Sequence, residues 1–254
     1  MSIHKDTTVI NEPDNTIEFN HLIISPGHAI PWYEGKDPNA VYDEKNWIGL
    51  FGYGPGSNEQ GLYIEHIAAA INEANRDPHA MLVFSGGYTR NPELFWEKSL
   101  SQPFKLISEA RGYYNVARLL KEFNTSLAHR IRLEEFARDS YENCLNTLSL
   151  FKSETGKMPE KVSACGFIFK KFRYDFHIEM IKRKFEVDFE FKYIGVNNSP
   201  NNAQYRIYPD SLIGEAKTIT AFSIDPHGEG AELMAKKVGR DFLPHRTLPF
   251  TLLK

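Results

Sequence analysis

Short apolar runs recur along this chain. Each is stopped by glycine, proline or polar residues, and most lead into a segment whose apolar positions repeat with helical period. Runs of the first kind predict buried strands, and segments of the second kind predict amphipathic helices. "HLIISPG" (His21 to Gly27), "AMLVFSGG" (Ala80 to Gly87), "HRIRLEE" (His129 to Glu135) and "KVSACGF" supply four strands. A fifth, "DFEFKYIGV", alternates Phe189, Phe191 and Tyr193 against Glu190 and Lys192, as a strand with one wet or ligand-facing side does. "KTITAFSID" predicts another near the C-terminus.

Between the strands, Ser57 stands as a helix N-cap with Gln60 placed to close a capping box, ahead of Ile64, Ile67, Ala68 and Ile71 on one face. Ser108 caps "SEARGYYNVARLLKEF", with Ala110, Tyr114, Ala117 and Leu120 or Lys121 on its inner face. "ARDSYENCLNTLSLFK" begins a helix at Asp139 or Ser140 and turns Cys144, Leu148 and Phe151 inward. "FKKFRYDFHIEMIKRKF" is helical with Phe169, Phe172, Phe176 and Met180 as its apolar stripe, and "PHGEGAELMAKKVGRDF" adds a short helix. Strand and helix alternate throughout, which predicts an α/β fold with a mostly parallel sheet between helical layers.

The 254 residues suit one large domain from about residue 21 to 254, behind an N-terminal arm (1–20) and with a C-terminal extension from about residue 200. Residues 29–56 carry Trp32, Tyr33, Trp47, Phe51 and Tyr53, and predict an aromatic lid. A net charge of −3 gives no basic field for nucleic acid. The polar N-terminus and the lack of a long apolar run predict a soluble, cytoplasmic chain that does not bind membranes. Two cysteines, Cys144 and Cys165, read as small core residues.

In open parallel sheets ligands bind beyond the carboxyl ends of the strands, so the residues after each strand carry the candidate chemistry. After the first come Gly27 and His28. After the second, Ser85, Gly86, Gly87, Thr89 and Arg90 predict an anion-binding turn, with glycines for close backbone approach, hydroxyl donors and a bidentate fork. Glu109 opens the next helix, and "EEFARDSYEN" adds Glu135, Asp139, Ser140 and Asn143; the carboxylates Glu109, Glu135 and Asp139 are the candidates for acid and base catalysis. Lys170, Lys171 and Arg173 place cations at a helix start, where an anion would relieve their conflict with the dipole; Lys171 and Arg173 are the ligand-binding candidates. His227 follows the last strand-like run and is either a loop residue or a ligand contact.

The order of these motifs, "VFSGG", "SEA", "ARDSYEN" and "GFIFKKFR", resembles a family of domains of unknown function (domain of unknown function 218) that includes SanA, ElyC and YdcF. The likeness runs from about Leu22 to Met180 and is nearest the soluble eukaryotic-type branch. It implies a Rossmann-like three-layer sandwich. It also implies site roles for Gly27, Ser85, Gly86, Gly87, Glu109, Glu135, Asp139, Ser140, Asn143, Lys171 and Arg173. The bacterial pattern has Thr where Ser140 stands and a His-Arg motif where this chain has Lys-Lys-Phe-Arg. One branch is associated with S-adenosylmethionine and others with envelope polysaccharide.

The resulting expectation is an enzyme, hydrolase or group transferase, that binds a phosphorylated or nucleotide-like anionic small molecule. Two alternatives stand beside it. One is a non-catalytic sensor for a nucleotide or S-adenosylmethionine; the other is a metal-dependent hydrolase built from His28, Asp139, Asp225 and His227.

Overall fold

The computed structural model describes residues 17–33, 35–50, 59–96, 106–196 and 209–254. In chain order the elements are β1 (His21–Pro26), β2 (Ile30–Pro31), β3 (Trp47–Ile48), α1 (Glu59–Arg76), β4 (Ala80–Ser85), α2 (Glu93–Trp96), α3 (Glu109–Ala117), α4 (Thr125–Ala128), β5 (Ile131–Glu134), α5 (Ser140–Thr155), β6 (Lys161–Phe167), α6 (Lys171–Phe185), β7 (Glu190–Val196), α7 (Pro209–Ile224) and α8 (Ala231–Val238). The main sheet has five strands in the order β5-β4-β1-β6-β7. Every neighbouring pair is parallel.

Numbered within that sheet, the order is 3-2-1-4-5, the Rossmann-like arrangement whose winding reverses between its first and fourth strands, here β1 and β6. Side chains alternate across the strands and divide the core in two. Ile23, Leu82, Phe84 and Cys165 pack against α1 and α3 with Leu62, Ile67, Ile71 and Tyr113. Leu22, Ile24, Met81 and Val83 pack on the other face against Cys144, Leu148 and Phe151 of α5 and Ile178 and Ile181 of α6. Helices on both faces explain why the central strands are apolar without interruption.

Local signals account for the helix ends. Ser108 Oγ accepts from Arg111 N at 2.9 Å, and Asp139 Oδ1 accepts from Glu142 N at 2.8 Å. Helix α5 stops at Gly156, whose left-handed φ of 76° suits a residue without Cβ. The expected Ser57 cap lies outside the described residues; Gln60 Nε2 donates to Tyr42 O at 2.9 Å.

Three expectations are corrected. "KTITAFSID" is not a strand but part of α7, which buries Glu215 and Phe222. Helix α6 turns Tyr174, His177, Ile178 and Ile181 inward and leaves Phe172 63% exposed. Among the described residues, the aromatic stretch 29–50 is not a lid: β2 pairs with β3, and buried Trp47 packs against Tyr63 and Tyr113 in the body of the domain. Phe51 and Tyr53 lie outside the described residues. Cys144 and Cys165 are buried free thiols, their pKa values raised by burial and then by nearby carboxylates.

Candidate functional site

A cavity of about 970 Å³ opens at the carboxyl ends of β1 and β6, where the winding reverses. Gly27 and His28 continue from β1, and Phe167, Phe169 and Lys170 from β6. The loop before α5 and its first turn add Arg138, Asp139, Ser140 and Asn143. Arg173 comes from α6, while Glu215 and Thr218 of α7, Lys236 of α8 and Arg240 close the far side. Arg90 and Glu109 complete the wall.

Charge is unevenly divided here. Six cations (Arg90, Arg138, Lys170, Arg173, Lys236 and Arg240) face three carboxylates (Glu109, Asp139 and Glu215), an excess of three when Lys170 is protonated, in a chain whose net charge is −3. Several cations are committed. Arg138 grips Glu142 through contacts of 2.7 and 3.0 Å, Arg173 Nη2 lies 2.9 Å from Glu215 Oε2, and Arg90 Nη2 donates to His28 O at 2.6 Å. Lys170, Lys236 and Arg240 have no carboxylate within 4.0 Å among the described residues.

Lys170 is half-buried and faces the cavity. Its Nζ lies 3.3 Å from His28 Nδ1 and over the rings of Phe167 and Phe169. Burial, and then Arg173, lower its pKa to about 7, against the pull of Glu215 and Glu109. The same burial, followed by Lys170, holds His28 well below the usual imidazole range, so His28 is neutral, and which member of the pair donates follows from its tautomer and from the charge on the amine. Burial likewise raises Asp139, opposed by Lys237 with its Nζ 3.5 Å from Oδ2.

The glycine turn does not act as expected. The N–H groups of Gly27, Gly86 and Gly87 donate to Ser85 O, Glu134 O and Ala137 O at 2.7, 2.9 and 2.7 Å, so none is left for an anion. Ser85 Oγ lies 2.6 Å from Glu134 Oε2 and 2.8 Å from Asn143 Oδ1, behind the cavity wall. The glycines serve close packing instead: a Cβ on Gly86 would lie 2.8 Å from Glu109 Cβ. Thr89 donates to Glu109 Oε1 and so orients that carboxylate rather than a ligand.

Of the expected site residues, Gly27, His28, Arg90, Glu109, Asp139, Ser140, Asn143 and Arg173 line the cavity. Glu135 does not. Glu134 folds back so that Oε1 accepts from Phe136 N, Ala137 N and Asn146 Nδ2, and its neighbour is thrown to the other side. There Glu135 meets Ser108 Oγ at 2.6 Å and Arg111 at 3.5 Å beside a separate cavity of about 580 Å³. Lys171 points to solvent and pairs with Asp175 at 2.6 Å. His227 Nδ1 lies 3.0 Å from Tyr141 OH, away from the cavity. Asp225 accepts from Glu229 N and Gly230 N, and among the described residues no group of three His, Cys, Asp or Glu could hold a metal ion.

Lys170, rather than its neighbour Lys171, lines the cavity, and so do Glu215, Lys236 and Arg240, which no motif marks. The usable signal for the last two is their i, i+4 spacing across the end of the last helix, with Arg240 just beyond it.

Fold and site together define a Rossmann-ordered α/β protein with a cation-rich cavity at its switch point. A protein of Saccharomyces cerevisiae (strain ATCC 204508 / S288c), described as uncharacterized protein YOR238W, is similar to it: 26% identical over 266 residues, spanning 90% of this chain and 86% of that protein. No family model and no solved structure matches the chain. No described helix is long and apolar enough to cross a membrane.

Proposed function

We propose that this chain binds a phosphorylated or nucleotide-like metabolite in the cavity between β1 and β6 and acts on it as a hydrolase or group transferase. The observation that carries the reading is the trio Lys170, Lys236 and Arg240, basic side chains around one cavity with no carboxylate within 4.0 Å among the described residues. Such a cluster raises the local concentration of anions and rewards the ligand that neutralises it. The cavity, at about 970 Å³, has room for a nucleotide, and Phe167, Phe169 and Tyr174 offer apolar ring surface beside the cations. Glu109 is the acid or base candidate, because it lines the cavity with its carboxylate held by Thr89.

Motif order supports membership of the family that includes SanA, ElyC and YdcF as part of this proposal. The buried free thiols accord with action in the cytoplasm. Asp139 favours the second reading, a binding protein without turnover, since its carboxylate already caps α5 and faces Lys237.

The test is calorimetric titration of the purified chain with pyrophosphate, AMP, ATP and S-adenosylmethionine, followed by mass spectrometry of each ligand after incubation. Binding that Arg240→Ala and Lys236→Ala each weaken supports the anion site, and no binding by any of the four removes it. Ligands recovered intact select the binding protein over the enzyme.

A further inference from the structure

Ser140 is the first residue of α5 and lines the cavity. Its Oγ lies 2.8 Å from Nε2 of His177, a residue of α6 with no accessible surface. The other ring nitrogen, Nδ1, is enclosed and has no hydrogen-bond partner among the described residues. Around it stand Tyr141, Tyr174, Phe176 and Phe222, the last 4.4 Å away between ring centroids at 78°. Burial, and then the nearby cations Arg173 and Lys237, keep the imidazole neutral by holding its pKa well below the usual range.

A neutral imidazole carries one proton, and two placements are open to it. With the proton on Nδ1, a buried N–H is left without an acceptor. Ser140 must then point its own proton back at Nε2, and only oxygen lone pairs face the cavity. With the proton on Nε2, the ring donates to Ser140 Oγ, and the only unpaired feature is a lone pair on Nδ1. Orphaned buried N–H groups are the rarer defect in native proteins. We infer that His177 donates Nε2–H to Ser140 Oγ and thereby turns the serine hydroxyl proton into the cavity, where Ser140 donates to an oxyanion of the ligand.

The choice of an oxyanion rests on the anion-binding reading above; the hydrogen-bond direction does not. In this arrangement His177 is a positioning residue. It is poorly placed as a base that would make Ser140 a nucleophile. Accepting the serine proton would create an imidazolium among aromatic rings, near Arg173 and Lys237, with no carboxylate on Nδ1 to stabilise it.

Two measurements on the full chain test this. Long-range proton–nitrogen correlation spectra of the ligand-free protein, with the His177 signals identified by their loss in His177→Phe, report which nitrogen carries the proton. Nε2–H is expected, and Nδ1–H overturns the inference whether or not any ligand binds. In calorimetric titration with AMP, Ser140→Ala and His177→Phe should each weaken binding about tenfold, the size of one hydrogen bond to a charged group. His177→Gln, whose side-chain amide also offers an N–H, should bind within about threefold of the wild type. The double variant Ser140→Ala, His177→Phe should bind no more weakly than Ser140→Ala alone.

Wild-type affinity in His177→Phe, or an added loss in the double variant, would overturn the coupling. So would a phosphoryl group located on Ser140 by peptide mass spectrometry, which would make the serine a nucleophile rather than a donor to the ligand. If the wild type binds none of the phosphate probes, the anion reading fails, and the proton position still decides the histidine's role.

Discussion

Gly27 and Glu109 share a space that admits only one side chain: a Cβ on the glycine would overlap Glu109 Cβ and lie 2.9 Å from Oε2. The first strand thus ends against the helix that carries the candidate acid or base. Gly27→Ala should lower stability by about 1–3 kcal/mol, as overpacking of a full site does. The blocking atom includes Cβ, so adding Glu109→Ala should not restore the loss, whereas adding Glu109→Gly should recover part of it. Urea unfolding of the three variants measures this.

Lys170 gives the proposed anion binding a pH dependence. Its folded-state pKa is lowered from 10.5 to about 7, so the amine is a cation below that pH and neutral above it. Affinity for sulfate, whose own charge is constant over the range, should fall as pH rises from 6 to 9, and Lys170→Met should flatten the profile. Stability runs the other way. Between about 7 and 10.5 the unfolded chain binds the proton that the folded chain has released, so this residue makes the ligand-free protein more stable as pH rises through that window. Titration calorimetry and thermal melts at matched pH values check both signs.

Glu134 is held at the centre of the turn after β5 by Ser85, Asn146 and the amides of Phe136 and Ala137. Glu134→Ala leaves the amides of Phe136, Ala137 and Asn146 without this acceptor, while Ser85 keeps Asn143, and should cost about 2–4 kcal/mol. Burial raises its pKa to about 7, against the lowering effect of its hydrogen bonds. Because the folded value lies above the unfolded one, its contribution is fully present below about 4.5 and is lost as pH rises through about 7. Glu134→Gln, which keeps the shape without the charge, should be at least as stable as wild type at pH 8. Urea unfolding at pH 5 and pH 8 separates the two variants.

Lys171 and His227 should prove silent in binding. Lys171 is exposed and makes an i, i+4 pair with Asp175, an interaction worth about 0.3–0.5 kcal/mol. Lys171→Ala and His227→Ala should change AMP affinity by less than about twofold. A larger loss by calorimetry would place either residue in the site.

The sheet was legible because strands covered on both faces show as apolar runs bounded by breakers, and all five main strands were found within a few residues of their ends. Helix α7 was not: Thr218, Ile219 and Thr220 favour a strand locally, and a helix that buries little beyond Glu215 and Phe222 has almost no periodic stripe. For α6 the true stripe, Tyr174, His177, Ile178 and Ile181, was present at helical spacing, but the phenylalanines beside it drew the assignment to the wrong face. The choice between Lys170 and Lys171 turned on a single 3₁₀ turn, Ile168–Lys170, that no local pattern announces. The glycine turn was misjudged because residue type shows where backbone can come close, not which group it comes close to.

The amide protons of Gly27, Gly86 and Gly87 already belong to other backbone carbonyls of the same molecule. Under the proposed function, selectivity would therefore be written in long, exchangeable side chains from three helices and the segments beside them. A change of preferred ligand would need only charge swaps at positions such as Lys236 and Arg240, with the central scaffold left untouched.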